Sequence, residues 1–232
     1  MAPSTISPPG TLPAWGTVLV VVAHPDDESF GLGAVIDALA RAGSAVHVLC
    51  LTQGEASTLG AAPDLAAIRA AELQQAAREL GARSTELLDL PDGGLADLDL
   101  EKLQVPVREA VASVGPDGLL VIDSTGISGH PDHIAATNAA VAVAQEHDLP
   151  VLAWTVPDEI AARLLEETGV PFVGCGSVET MTIEVDRANQ RRAIDAHASQ
   201  AVPGSVLWRR LELQGGVETL TWLRPVTQEH PR

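Results

Sequence analysis

Two short segments concentrate side chains that bind cations and move protons: His24-Pro25-Asp26-Asp27-Glu28 and Gly129-His130-Pro131-Asp132-His133. Imidazole nitrogens and carboxylate oxygens are good ligands for Zn²⁺, and a catalytic zinc site uses three protein ligands and leaves the fourth position to water. His24 and Asp27 stand three apart, so one short turn can direct both at the same ion. A histidine of the second segment, His130 or His133, would complete the set. Asp26 then remains unliganded beside the water, suited to act as general base. The spare histidine, protonated, could hold a developing oxyanion or give a proton to a departing amine. Asp132 could orient His130 as a hydrogen-bonding carboxylate. Either segment alone also reads as a strand-to-helix turn with a capping Asp.

The two segments matter together because of the elements that carry them. Thr17 to Ala23 is a short β-branched run, read as a buried strand. Helix-like spacing follows from Gly33 to Ala42, then a second strand from Ala45 to Leu51 and a polar loop to Pro63. Asp64 is placed to cap a helix in which Leu65, Ile68, Leu73, Ala76 and Leu80 recur at helical spacing. Strands are expected at Thr85 to Leu90, Gly118 to Asp123 and Val151 to Thr155. Helices are expected at Leu100 to Val114, which Pro106 would shorten or kink, at Asp132 to Glu146 and at Pro157 to Thr168. After Val170 the pattern changes to a strand at Met181 to Val185, a helix at Arg187 to Ala198 and a last strand at Gly216 to Arg224.

This alternation predicts an α/β fold: a Rossmann-like three-layer sandwich with a mainly parallel sheet, order 3-2-1-4-5, and a C-terminal extension. In that order strands one and four are neighbours, and ligands bind in the crevice outside their carboxyl ends. The two segments follow those strands, so they should meet at one point. A single domain over 16–226 is expected, between a mobile N-terminal tail over 1–15 and a C-terminal tail over 227–232.

Composition narrows the class. Hydrophobic residues make up 46% of the 232 residues and aromatics only 3%, so Val, Leu, Ile and Ala must pack a large core. The net charge of −17 and the lack of a Lys/Arg cluster argue against nucleic acid or an anionic membrane surface as partner. A small neutral or weakly charged substrate fits better. Two cysteines, Cys50 and Cys175, make no disulfide framework, and no apolar run reaches membrane-spanning length. A cytoplasmic, bacterial protein is the resulting expectation. Gly31-Leu32-Gly33 hints at a dinucleotide-binding oxidoreductase, but no third glycine completes the motif, and HPDDE would set carboxylates where a pyrophosphate must sit.

Ala23-His24-Pro25-Asp26-Asp27-Glu28 after the first strand, with Gly129 to His133 after the fourth, resembles the PIG-L/LmbE-like zinc-dependent de-N-acetylase family. The likeness runs from Val18 to Gln200. It includes Thr52-Gln53-Gly54-Glu55, Arg69 with Glu72 and Leu73, Leu80-Gly81, and Ala196-His197-Ala198-Ser199-Gln200. The resemblance implies hydrolysis of an N-acetyl or other N-acyl group on a glucosamine-type sugar or its conjugate. It implies His24, Asp27 and His133 as metal ligands, Asp26 as base, His130 as electrostatic or acid partner and Arg69 as a substrate contact. Zinc is the implied metal, with Fe²⁺ able to use the same ligands, and a homo-oligomer is expected. Some members place a Tyr two residues before the first His of the second motif; here Ser128 stands there, and the chain has no Tyr. The alternatives are an amidase acting on a thiol-sugar conjugate or a glycopeptide acyl group, and a non-catalytic metal- or sugar-binding module. Glu28 reads as a helix cap or a brace for a ligand, His47 as structural, His197 as lining the site or as packing or capping, and His147 and His230 as peripheral.

Overall fold

Thr17–Val22 (β1) sends Val18, Val20 and Val22 into one hydrophobic core and Leu19 and Val21 into another. A strand covered on both faces reads as an unbroken apolar run, which is how it appears in the sequence. The computed structural model describes residues 10–60 and 62–225. Its other strands are Ala45–Thr52 (β2), Ser84–Leu90 (β3), Gly118–Ile122 (β4), Val151–Thr155 (β5), Thr180–Glu184 (β6) and Val217–Arg224 (β7). They form a seven-stranded sheet in the order β3-β2-β1-β4-β5-β7-β6. The first five are parallel in the expected order. The C-terminal extension joins the same sheet: β7 pairs antiparallel with β5, and β6 antiparallel with β7.

The helices are Asp27–Phe30 (α1), Gly33–Arg41 (α2), Leu65–Glu79 (α3), Leu100–Val114 (α4), Gly126–Gly129 (α5), Pro131–Glu146 (α6), Asp158–Thr168 (α7), Ala188–Ala196 (α8) and Val206–Gln214 (α9). Apolar residues of α2, α3, α7 and α8 cover one face of the sheet. Those of α4 and α6 cover the other, where Ala135, Ala136, Ala139, Ala140 and Ala144 let α6 lie close to the strands. These two layers supply the core that the scarcity of aromatics demanded. Helix α4 runs through Pro106 without ending there. Among the described residues no helix is long and apolar enough to cross a membrane.

Three expectations are modified. Asp64 stands before α3 but makes no side-chain capping bond. Helix α9 was not anticipated, although Leu207 and Leu211 have helical spacing. Of the tail expected over 1–15, residues 1–9 lie outside the described residues, as do 226–232 with His230, but Trp15 is part of the core. Its ring meets Trp222 edge-on at 5.9 Å and lies over Gly118, where a Cβ would come within 2.2 Å of it.

Candidate metal centre and cleft

At the carboxyl end of β1 the chain turns sharply. Asp26 adopts φ 127°, a conformation uncommon for any residue but Gly, and its carbonyl accepts the N–H groups of Ser29 and Phe30 that open α1. Its side chain does not cap that helix, so the carboxylate is not held by the N–H groups of α1. Asp27, one residue on, accepts the His24 N–H at 2.9 Å. The turn therefore projects His24, Asp26 and Asp27 into one cleft of about 480 Å³.

The second segment reaches the same cleft from β4. Thr125 caps a short kinked turn in which Ile127 takes φ 64°. Pro131 then opens α6 in the first-turn position that suits a residue without an N–H. His130 is the N-cap, its Nδ1 accepting the Asp132 N–H at 3.3 Å. His133 follows one turn further, and its Nδ1 lies 3.2 Å from the Gly126 carbonyl.

His24, Asp27 and His133 come together as a group able to hold a metal ion. His24 Nδ1 and His133 Nε2 are 3.2 Å apart, His133 Nε2 and Asp27 Oδ1 3.1 Å, and His24 Nδ1 and Asp27 Oδ2 3.5 Å. A tetrahedral ion with bonds of ~2.0–2.1 Å separates its ligands by about 3.3 Å, so these spacings fit. The outer partners fix the tautomers. His24 Nε2 faces Asp132 at 3.3 Å and Asp92 at 3.1 Å, and His133 Nδ1–H donates to Gly126. With protons assigned to those outer nitrogens, the two inner lone pairs face each other beside a carboxylate, an arrangement that a cation relieves. Two imidazoles and one carboxylate are a donor set suited to Zn²⁺ or Fe²⁺.

The electrostatics show how strongly this cluster favours positive charge, which an ion would supply in place of protons. Burial disfavours a charged His24, but hydrogen bonds to Asp132, Asp27 and Asp92 outweigh it and push its pKa up to about 12. Burial likewise opposes ionisation of Asp27, yet His133 and His24 hold its carboxyl well below the ordinary value. Burial pushes Asp26 up to about 6, with the Arg69 guanidinium pulling against it. Burial lowers the His130 pKa, and repulsion from His133 and His24 lowers it further, which favours the neutral ring. With Nδ1 accepting from the backbone, a neutral His130 carries its proton on Nε2 as a hydrogen-bond donor. Its ring stacks on His133 at 4.6 Å.

Asp132 also differs from its expected task. Its carboxylate does not orient His130; it accepts from Gly93 N at 2.7 Å and Leu95 N at 3.0 Å and meets His24. Asp92, after β3, was not foreseen; its signal was a carboxylate in the Pro91-Asp92-Gly93-Gly94 turn beyond a strand of the same sheet edge. Arg69 lies almost wholly buried, its guanidinium donating to the carbonyls of Gly54 (2.7 Å) and Pro25 and pairing with Asp26 at 3.1 Å. It lines the cleft, and these bonds clamp the Asp26 turn, while its buried Nε has no hydrogen-bond partner among the described residues.

Behind the turn, Glu28 and His197 form a fully buried pair at 2.6 Å, and Glu28 also accepts the Asp26 N–H at 2.9 Å. Gln190 donates to the carbonyl of Ser29, and Arg210 to that of Phe30. Arg210 and Arg187 share Glu218, which also accepts from the Trp154 indole at 2.7 Å. His47 instead lies at β2 beside Ser84, away from the cleft.

Residues 19–144 match the family model described as PIG-L, GlcNAc-PI de-N-acetylase. A probable N-acetylglucosaminyl-phosphatidylinositol de-N-acetylase of Schizosaccharomyces pombe is 35% identical over 200 residues, covering 80% of this chain and 78% of the relative. A 1D-myo-inositol 2-acetamido-2-deoxy-alpha-D-glucopyranoside deacetylase of Rhodococcus opacus is 30% identical over 237 residues, covering 79% and 81%. Among solved structures, the zinc-inhibited form of the teicoplanin deacetylase Orf2 shares the fold, with a TM-score of 0.67 at 22% identity over 91% of this chain and all of that one.

Proposed function

This chain belongs to the PIG-L family, and from that premise we propose that it is a zinc-dependent hydrolase that removes an N-acetyl or other N-acyl group from an amino-sugar conjugate. The observation that carries this reading is the triangle of donor atoms, 3.1 to 3.5 Å on a side, with the unliganded Asp26 in the same cleft. His24, Asp27 and His133 would hold the ion. When bound, zinc supplies Lewis acidity toward an acyl carbonyl and toward water.

The remaining steps fall to the side chains. Asp26 accepts a proton from the attacking water, and its raised pKa suits a group that must later return that proton to the amine nitrogen as the C–N bond breaks. His130 donates its Nε2–H to the oxyanion, the task given to a Tyr in some relatives. Asp132 and Asp92 fix the His24 ring, and Arg69 steadies the Asp26 carboxylate. The single continuous sheet supports treating 16–226 as one domain. The acidic charge supports a small-molecule partner, and the two free cysteines support a reducing, cytoplasmic setting.

The test is metal analysis of the purified protein together with amine release from a panel of N-acylglucosaminides, before and after chelation. Stoichiometric metal and chelator-sensitive release are expected. Metal without release from any member would favour a binding module instead.

A further inference from the structure

We propose that Glu28 and His197 are positioning residues for the reaction: His197 holds the Glu28 carboxylate, and Glu28 holds the Asp26 main chain in the conformation that sends its side chain into the cleft. This rests on the reading of Asp26 as the base of an amide hydrolysis and adds the two groups that aim it. Neither of them lines the cleft. Asp26 stands at φ 127° and ψ −26°. Such a conformation costs a residue with a Cβ about 1–3 kcal/mol and persists only where the surroundings over-determine it. Its carbonyl accepts the N–H groups of Ser29 and Phe30, and its own N–H donates to Glu28 Oε2 at 2.9 Å. The Asp26 carboxylate pairs with Arg69 at 3.1 Å, so the direction it takes from the main chain decides where the base stands.

Glu28 can fix that N–H because its other oxygen is itself fixed. Oε1 accepts the Ser29 hydroxyl at 2.6 Å and the His197 Nε2–H at 2.6 Å. Glu28 and His197 are both wholly buried, where a carboxylate with a missing donor is costly. The proton of the His197 ring is assigned to Nε2 because it faces a carboxylate oxygen; Nδ1 has no hydrogen-bond partner among the described residues. The ring's hydrogen bonding is thus directed at Glu28. His197 is also firmly placed. It closes α8, and its carbonyl accepts the N–H groups of Gln200 and Ala201 at 2.8 Å each. Two residues on, Ser199 is tied to Glu72 of α3 through its N–H at 2.8 Å and its hydroxyl at 2.6 Å. Packing alone would call for an apolar ring at this position. It would not call for a donor that meets the one carboxylate holding the Asp26 N–H.

The experiment compares His197→Phe, His197→Gln and Glu28→Asp with the unaltered enzyme, all metal-loaded. Amine release from N-acylglucosaminides gives kcat and KM, competition with a chelator gives metal affinity, and urea unfolding reports the fold. His197→Phe keeps a ring and removes the donor. Its kcat should fall by about 10- to 100-fold, the scale of a small misplacement of a reacting group, with KM and metal affinity little changed. His197→Gln keeps an N–H donor at similar reach and should restore most of that loss. Glu28→Asp keeps the carboxylate but is one methylene too short to span Asp26 N–H and His197. Its kcat should fall with metal affinity intact, and it decides the matter if His197→Phe does not fold. Three results overturn the inference and leave the hydrolase reading standing: unaltered kcat in folded His197→Phe or in Glu28→Asp, His197→Gln as impaired as His197→Phe, or a loss of metal affinity that accounts for the fall. Amine release from no sugar by the unaltered enzyme overturns the hydrolase reading, and this inference with it.

Discussion

Asp26→Asn keeps the shape of the side chain and removes its ability to take a proton. Turnover should fall by about 10²–10⁴-fold, the usual worth of a positioned base, while metal content measured by atomic emission stays unchanged. Full turnover in this variant would exclude Asp26 from the proton transfer. Asp132→Asn asks a different question, because its carboxylate meets the outer nitrogen of His24. Loss of such a partner should weaken metal affinity by about 10–100-fold, read by competition with a chelator; unchanged affinity would mean that Asp92 alone fixes the ring. At this scale the sequence was informative about which side chains meet and less so about what each does. The placement of the two segments after strands one and four carried their convergence, and the family resemblance chose His133 over His130. Nothing in the pattern Gly-His-Pro-Asp-His could say that Asp132 turns back to His24, since that depends on where the Gly93 and Leu95 amides fall. Nor could it say that burial, with two neighbouring imidazoles, lowers the His130 pKa.

The loop after β2 and the helix α3 meet at Gly54 and Arg69. Gly54 has φ +66°, and a Cβ there would stand 2.3 Å from the Arg69 Cζ. Gly54→Ala should therefore cost about 1–3 kcal/mol in backbone strain alone and displace the guanidinium from Asp26. A lowered midpoint in denaturant together with a drop in kcat is the expected pair; a fall in stability with kcat intact would separate Arg69 from the chemistry. Strands β1, β2, β4 and β5 were legible because they are buried along most of their length and so appear as compact apolar runs, whereas β3 and β6 are largely exposed. The helices α2, α3, α4, α6 and α7 were legible through their spacing. The stretch Val206 to Gln214 passed unread because its two adjacent arginines suggest solvent, whereas Arg210 is buried against Trp154 and Glu218. Charge at a buried position is invisible to any pattern that equates polarity with exposure.

Across the whole molecule, the antiparallel strands β7 and β6 appear at first to be an appendage to a five-stranded parallel core, yet they hold up its working edge. Glu218 on β7 gathers Arg187, Arg210, Gln214 and Trp154. Removing one side of a buried ionic group leaves uncompensated charge, so Glu218→Leu should destabilise the fold by about 3–5 kcal/mol, measured by urea unfolding; a change within ~0.5 kcal/mol would mean that the group is not a structural tie. The order of the parallel strands followed from the alternation of elements. The placement of β7 between β5 and β6 depends on a long return of the chain that no local pattern encodes. That return has a temporal meaning. The ribosome delivers His24 to Asp27 early, but the groups that grip the following helix, Gln190, His197 and Arg210, emerge much later. A nascent chain halted after β5 already contains every residue of the donor triangle and still lacks the props that steady Glu28 and the carbonyls of Ser29 and Phe30. A chain ending before α8 would keep the donor triangle and lose the hydrogen bonds that Gln190, His197 and Arg210 make to the turn behind it.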